Sequence, residues 1–266
     1  MSKAKVEIIY QDDNIIVINK PSGVSVTKDR SGAGQLRDLL ANQLPQQTIS
    51  QLLLVHRLDK DTSGVMLLAK NTPAQALFSG FFTERLVKKT YLAIVTGAIP
   101  GPSGTIDAPL APNPKNAAVM CIAARKGKEA LTEWKLLADF ELVALLAVNP
   151  LTGRTHQIRV HLSSIGLPLA IDPLYGSSQP LLLSDTKTDY RLHKSQTEKP
   201  LIERLTLHAY QLELLKPPPD CPDCFVAGLD KKFAATIKML TKHNPNGPQA
   251  FVNPDDFSRI QIGDRL

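Results

Sequence analysis

The segment from His56 to Gly64 constrains the fold most strongly, because it sets polar residues between two apolar stretches of the chain. It reads His-Arg-Leu-Asp-Lys-Asp-Thr-Ser-Gly and carries seven polar side chains. Buried polar groups are costly unless they find partners, so this segment must be held by specific contacts. One interpretation is a turn in which Asp59 caps Thr62 or Ser63. The other is a carboxylate held at the wall of a cleft by neighbouring cations, and the spacing alone leaves both open.

Predicted strands outnumber predicted helices and most connections are short, which indicates an α+β protein built on antiparallel sheet. Two apolar runs around an Asp-Asp-Asn turn predict a hairpin over residues 6–18. A main body of residues 1–216 and a C-terminal extension of residues 217–266, packed on the same domain, meet at a Pro-Pro-Pro break. The other predicted elements are helices at 35–44, 72–86, 155–165 and 230–240, strands at 64–70, 90–97, 142–149 and 206–214, a strand pair of 117–123 with 129–138, a mobile loop at 28–34, a surface excursion at 100–116 and a polar C-terminal tail.

The composition indicates a globular protein without a membrane span. Hydrophobic residues make up 43% and charged residues 21% of the 266 residues. The longest apolar run, 117–124, has eight residues, whereas a membrane-spanning helix needs about 20. The N-terminus leads into a predicted strand without a signal-peptide core, and three cysteines do not indicate a disulfide framework. We therefore expect a cytoplasmic protein with no membrane partner.

A second polar cluster, Thr152 to His161, carries two arginines and two histidines and no acidic residue. If 155–165 is helical, Arg159 lies about 100° from Ile158, so it flanks the buried stripe and reaches inward. A solvated basic helix face is the simpler interpretation. Cations near a helix N-terminus are unfavourable for the helix dipole, however. The arrangement therefore predicts a nearby anion, either a protein carboxylate or a phosphate.

Together these segments carry a resemblance to a known family. His56–Gly64 closely resembles the signature of the RluA family of pseudouridine synthases. The resemblance covers about residues 6–215 and implies the pseudouridine synthase catalytic fold for residues 1–216. That fold is α+β, with a mixed, mainly antiparallel bent sheet flanked by helices and loops. Four more groups of segments agree with that family in order: 9–13 with 19–23, 89–97, 152–162, and 171–176 with 207–209.

The resemblance implies isomerisation of specific uridines in structured RNA to pseudouridine, with ribosomal RNA favoured and transfer RNA possible as substrate. The target base is flipped out, the C1′–N1 bond breaks and a C5–C1′ bond forms. The family's catalytic aspartate corresponds to Asp59, its aromatic residue to Tyr91 and the basic partner of the aspartate to Arg159. The arginine that fills the space of the flipped base corresponds to Arg57. The resemblance implies no cofactor and no metal.

RNA is the expected partner of a chain with a net charge of +6. The first catalytic strand begins at about residue 6, so we expect no separate N-terminal RNA-binding module and recognition by the catalytic body of a monomer. Residues 115–128 contain four basic residues and no acid, which predicts either an RNA-facing ribbon or a solvated hairpin tip. The predicted RNA-binding residues are Arg57, His56, Arg154, His156, Arg125, Lys126 and Lys128.

Two other functions stay open from the residues. A catalytically idle RNA-binding or RNA-folding protein on the same scaffold would not need Asp59, Tyr91 and Arg159 together. A glycosidase-like hydrolase would use Asp61 as a second carboxylate, which we interpret instead as a capping or charge-balancing residue. Cys221 and Cys224 form a single C-x₂-C, whereas a structural zinc usually has four ligands, so we expect no metal there. We expect Trp134, in an alternating strand, to lie in the core.

Overall fold

A computed structural model describes residues 5–27, 35–123, 125–186 and 197–266. The predicted loop at 28–34 lies outside these residues. The α+β class with a mainly antiparallel sheet is confirmed. The strands are β1 (Glu7–Gln11), β2 (Ile15–Lys20), β3 (Leu53–Leu54), β4 (Ser63–Ala69), β5 (Val87–Thr96), β6 (Ser103–Asp107), β7 (Leu110–Asn113), β8 (Asn116–Ile122), β9 (Leu131–Asp139), β10 (Val143–Pro150), β11 (Leu207–Leu214) and β12 (Cys224–Val226). The α-helices are α1 (Leu36–Leu40), α2 (Gln46–Gln51), α3 (Thr72–Thr83), α4 (Gln157–Ser164), α5 (Lys231–His243) and α6 (Pro254–Ile262), and a 3₁₀-helix covers Gly247–Ala250.

The chain forms two compact units, each built from two stretches of sequence. Unit 1 consists of Met1–Thr90 and His208–Gly228, and unit 2 consists of Tyr91–Leu207 and Leu229–Leu266. The division into a catalytic domain of residues 1–216 and a C-terminal extension of residues 217–266 packed on it stays a prediction. In the described residues, no helix is long and apolar enough to cross a membrane.

Unit 1 is organised around β4, all of whose residues are buried. The predicted β1–β2 hairpin is confirmed, and β2 also pairs with β4 in an antiparallel ladder. At its start β4 runs parallel to β11, with Gly64 opposite Ala209. The backbone of Gly64 has φ +118°, and a Cβ there would lie 2.1 Å from the Ala209 carbonyl oxygen. Glycine is therefore required where the polar segment enters β4.

Unit 2 is built on β10, which pairs antiparallel with β5 on one side and β9 on the other. Its apolar cluster includes Ile158 and Leu162 from α4 and Trp134 from β9. The prediction that Trp134 belongs to the core is confirmed, because it is 5% exposed. Helix α4 thus turns its apolar stripe toward the sheet of unit 2, as its periodicity predicts.

Three sequence predictions are wrong, and all three concern unit 2. Strand β8 does not pair with β9, because β9 is already occupied by β6 and β10, and β8 pairs with β7 instead. The region 100–116 is not only a surface excursion, because it contains β6 and β7. The polar tail contains α6, which the Asn253 side chain caps by accepting from the Asp255 N–H and which buries Ile260.

Candidate active site

The turn that carries Asp59 is held through its backbone. The Asp59 carbonyl oxygen accepts from the Thr62 N–H at 3.2 Å and closes the turn. The next carbonyl, of Lys60, accepts from the ammonium of the fully buried Lys20 at 2.9 Å. The third, of Asp61, accepts from the Ser22 hydroxyl at 2.6 Å. Three successive carbonyl oxygens therefore accept hydrogen bonds, which fix the backbone conformation of the turn that presents Asp59.

The exit from this turn is fixed by a buried histidine of β11. Thr62 and Ser63 are each 2% exposed, and the Ser63 hydroxyl lies 2.9 Å from Nδ1 of His208. Nε2 of His208 lies 3.1 Å from the Ala227 carbonyl oxygen. A carbonyl oxygen only accepts, so Nε2 carries the proton and Nδ1 accepts from Ser63. The sequence analysis placed His208 in a family segment but did not give it this role.

His56, a predicted RNA-binding residue, has an internal role in unit 1. Its Nε2 accepts from the Leu67 N–H at 3.0 Å, and its ring stacks on Phe82 with centroids 4.4 Å apart. Burial, and then the positive charge of Lys89, lower the pKa of His56 to about 3. The imidazole is therefore neutral near pH 7 and offers no cation to a phosphate. Contact between His56 and RNA stays a prediction, whereas the neighbouring Arg57 is exposed on the surface of the unit.

Tyr91 occupies the first position of β5 that belongs to unit 2. Its backbone partner on β10 is Val148, and its half-buried side chain packs against the apolar cluster of that unit. Such packing holds a flat ring at a set place and angle, which is what stacking on a base requires.

Arg159 makes a bidentate ion pair that the sequence analysis did not identify. Its Nε and Nη2 donate to Oδ2 and Oδ1 of Asp172, both at 2.7 Å. The two side chains are 5% and 0% exposed. The anion expected near this helix is therefore, at least in part, a protein carboxylate. Ion pairing of Arg159 with Asp59 stays a prediction.

Asp172 and Tyr175 together form the surroundings of the Arg159 guanidinium. Oδ1 of Asp172 also accepts from the N–H groups of Leu174, at 2.9 Å, and Tyr175, at 3.2 Å. The guanidinium carbon lies 5.1 Å from the centroid of the Tyr175 ring. The sequence did carry a signal that could have identified Asp172 and Tyr175. They are an acid and a tyrosine three positions apart in a family segment, and this segment follows a helix rich in cations.

The N-terminus of α4 is anchored by Gln157, which is 4% exposed. Its Oε1 accepts from the Thr152 hydroxyl at 2.6 Å and from the Arg154 N–H at 3.0 Å, while its Nε2 donates to the Leu131 carbonyl at 2.9 Å. Nε of Arg154 donates to the Glu129 carbonyl oxygen at 2.9 Å. The hydrogen bonds of Gln157 set where α4 begins. The bond to Glu129 holds Nε of Arg154 against the protein.

The predicted basic ribbon includes β8 and the segment that comes after it. We call the β7–β8 pair, together with the exposed Arg125, Lys126 and Lys128, the basic hairpin. Lys128 exchanges backbone hydrogen bonds with Leu110 at 2.9 and 2.8 Å, which returns the chain to the start of β7. A Cβ on Gly127 would lie 2.5 Å from that of Ala123, so glycine permits this return. Three exposed cations are thereby held on one short segment.

Within the described residues, no group of three or more His, Cys, Asp or Glu side chains is arranged to hold a metal ion. Cys121, Cys221 and Cys224 are half-buried thiols that form no disulfide with one another. Burial raises the pKa of the Cys221 thiol. The expectation that no metal binds the C-x₂-C segment stays a prediction.

Comparison with known proteins identifies the family. The family model described as RNA pseudouridylate synthase matches residues 14–164. A ribosomal large subunit pseudouridine synthase D of Nitrosomonas europaea is 39% identical over 213 residues, 79% of this chain and 58% of that protein. One from Zymomonas mobilis is 33% identical over 250 residues, 90% of this chain and 74% of that protein. The chain thus spans little more than half the length of the first of these relatives and three quarters of the second.

The fold agrees with this assignment. Human RNA pseudouridylate synthase domain containing 1 superimposes with a TM-score of 0.64 at 28% identity, covering 86% of this chain and 85% of that one. Human RNA pseudouridylate synthase domain containing 4 gives a TM-score of 0.63 at 27% identity, covering 88% and 92%. The prediction drawn from the five groups of motifs is confirmed: the chain belongs to the RluA-type family of RNA pseudouridylate synthases.

Proposed function

We propose that this protein isomerises uridine in RNA to pseudouridine and that Asp59 is its catalytic carboxylate. The observation that carries the proposal is the family membership of a chain whose Asp59 turn is intact and tied at three successive carbonyls. Such ties preorganise a catalytic group before substrate binds. Relatives that cover most of this chain are named for the large ribosomal subunit, which supports ribosomal RNA as the substrate class.

The chemistry assigns a role to each proposed residue. The carboxylate of Asp59 either attacks C1′ or removes a sugar proton beside an oxocarbenium-like centre, and both routes need it ionised. Arg159, oriented by Asp172, is proposed to balance that negative charge. Tyr91 is proposed to stack on the detached uracil and to assist loss of the C5 proton. Arg57 is proposed to enter the space that the flipped base leaves, because its planar group stacks and its charge attracts phosphate.

Replacement of the catalytic carboxylate tests the proposal. Asp59→Asn keeps the shape of the side chain but removes its charge, so single-turnover release of tritium from RNA labelled at uridine C5 should fall to about a hundredth of wild type or less. Asp61→Asn is the matched control, because Asp61 is exposed and its tie to Ser22 uses the backbone carbonyl. Wild-type release by Asp59→Asn would refute the assignment, and an RNA-binding wild type without turnover would identify the idle alternative.

We also propose that the basic hairpin contacts the RNA backbone. Each phosphate contact releases counterions and contributes about 0.7–0.9 to the log–log slope of affinity against salt. Changing Arg125, Lys126 and Lys128 together to Gln should therefore flatten the slope by about two to three. The matched control changes three exposed lysines of α5, Lys231, Lys238 and Lys242, and alters the net charge equally.

An unchanged slope in the hairpin variant, or an equal change in the control, would show that the hairpin does not bind RNA. A monomeric, cytoplasmic protein that uses no cofactor or metal remains the expectation that accompanies the proposal.

A further inference from the structure

Tyr175 connects the basic hairpin to the arginine site within unit 2. Its hydroxyl oxygen accepts from the Met120 N–H of β8 at 2.7 Å. Its hydroxyl also lies 2.8 Å from Nδ1 of His156, at the N-terminus of α4. Its ring lies under the Arg159 guanidinium, and its own N–H donates to Asp172. One side chain therefore contacts both the strand that leads to the cations and the guanidinium proposed to serve catalysis.

The hairpin needs such an anchor. A two-stranded pair is marginally stable by itself in water, and its edges present backbone groups that need partners. Met120 lies opposite Pro112, and its N–H points away from β7 to the Tyr175 hydroxyl. Met120 and Tyr175 also pack against a small apolar cluster of Leu110, Ala130 and Val160. The tyrosine thus supplies both a polar and an apolar attachment for β8.

His156 fixes the orientation of the Tyr175 ring. Its backbone adopts the left-handed conformation, with φ 53°, which is uncommon for a residue other than glycine. The conformation sets its ring edge-on to Tyr175, with centroids 5.5 Å apart. The Tyr175 oxygen accepts from Met120, and the same hydroxyl shares a hydrogen bond with Nδ1 of His156. Strained backbone that is held by specific contacts is typical of functional sites.

We propose that Tyr175 is a positioning residue that couples the RNA-binding basic hairpin to Arg159. The hydroxyl holds the hairpin at the distance that RNA docking needs, and the ring keeps the guanidinium flat against Asp172. The proposal rests on the proposed function, because it assumes that the hairpin binds RNA and that Arg159 serves the reaction. It assigns separate tasks to the two parts of one side chain, which substitutions can separate.

Steady-state kinetics with C5-tritiated large-subunit ribosomal RNA separate the two tasks. Tyr175→Phe removes the hydroxyl and keeps the ring, so KM for RNA should rise about tenfold, the scale of one or two lost hydrogen bonds, while kcat stays within about twofold. Tyr175→Leu also removes the aromatic face, so kcat should fall about tenfold as well. Tyr10→Phe is the matched control, because the half-buried Tyr10 hydroxyl donates to Asp12 in unit 1. Its KM and kcat should equal those of wild type.

A combined variant distinguishes coupling from a general structural defect. With Arg125, Lys126 and Lys128 already changed to Gln, Tyr175→Phe should raise KM by less than about twofold, because the hairpin no longer contributes to binding. A tenfold rise that persists in this background overturns the proposal. So does a KM for Tyr175→Phe alone that stays within twofold of wild type.

Hydrogen exchange tests the tether without substrate. In Tyr175→Phe, exchange of a peptide covering Asn116–Ile122 should be at least about tenfold faster than in wild type, since local opening follows the loss of the anchor. Unchanged exchange overturns the proposal. A wild type that turns over no RNA contradicts the proposed function alone, and the exchange measurement then decides whether Tyr175 anchors the hairpin.

Discussion

Replacing Asp172 by Asn should destabilise the protein far more than replacing a surface acid. The Asp172 carboxylate is fully buried, and it accepts four hydrogen bonds, two from Arg159 and one each from the backbone of Leu174 and Tyr175. In Asp172→Asn the amide NH₂ faces a guanidinium N–H that also donates. The change therefore leaves a buried cation without its counterion.

The expected magnitude follows from that geometry. Removing one partner of a buried ion pair costs about 3–5 kcal/mol, because the remaining charge stays desolvated. A single domain is stable by only about 5–15 kcal/mol, so the loss is a large part of the total. Urea unfolding followed by circular dichroism measures the free energy of unfolding directly.

A control and a double variant sharpen the test. Asp61→Asn changes an exposed acid, so it should cost less than about 1 kcal/mol. Arg159→Met combined with Asp172→Asn should lose less stability than the sum of the single changes, by about 2 kcal/mol or more. A loss below about 1 kcal/mol in Asp172→Asn, or strict additivity in the double variant, would refute the argument.

Two further predictions concern Tyr91 and His56. If the Tyr91 hydroxyl assists removal of the C5 proton as proposed, Tyr91→Phe should bind RNA normally but turn over about a hundredfold more slowly. Normal turnover would leave Tyr91 as a stacking surface. The pKa of His56 is lowered from 6.5 to about 3, so the folded protein favours the neutral imidazole. The resulting stabilisation of the protein is fully present above pH 6.5 and is lost as the pH falls from 6.5 towards 3. Between pH 6 and 4 the free energy of unfolding should therefore fall more steeply in wild type than in His56→Gln, by up to about 1.4 kcal/mol per pH unit, and equal slopes would contradict the burial argument.

Features that depend on neighbouring residues could be predicted from the sequence. A continuous apolar run predicted β4, which is buried along its whole length, and apolar residues on one helical face predicted α4. The turn between β1 and β2 could be predicted because both strands lie within a few residues of it. The order of polar motifs identified the family, since Asp59, Tyr91 and Arg159 stand in segments whose residue types are themselves diagnostic.

Contacts between distant residues could not be predicted from the sequence and were established by the folded structure. The partner of β8 depends on which edges of β9 are occupied, and no local pattern records that occupancy. The same holds for the charge state of His56, a predicted RNA-binding residue whose pKa burial lowers so that the ring is neutral near pH 7. Asp172 became the partner of Arg159 because a turn brings its carboxylate to the guanidinium inside the core, where solvent cannot satisfy either charge. Periodicity depends on each residue's near neighbours, whereas pairing, burial and charge state depend on contacts that form only when the chain folds.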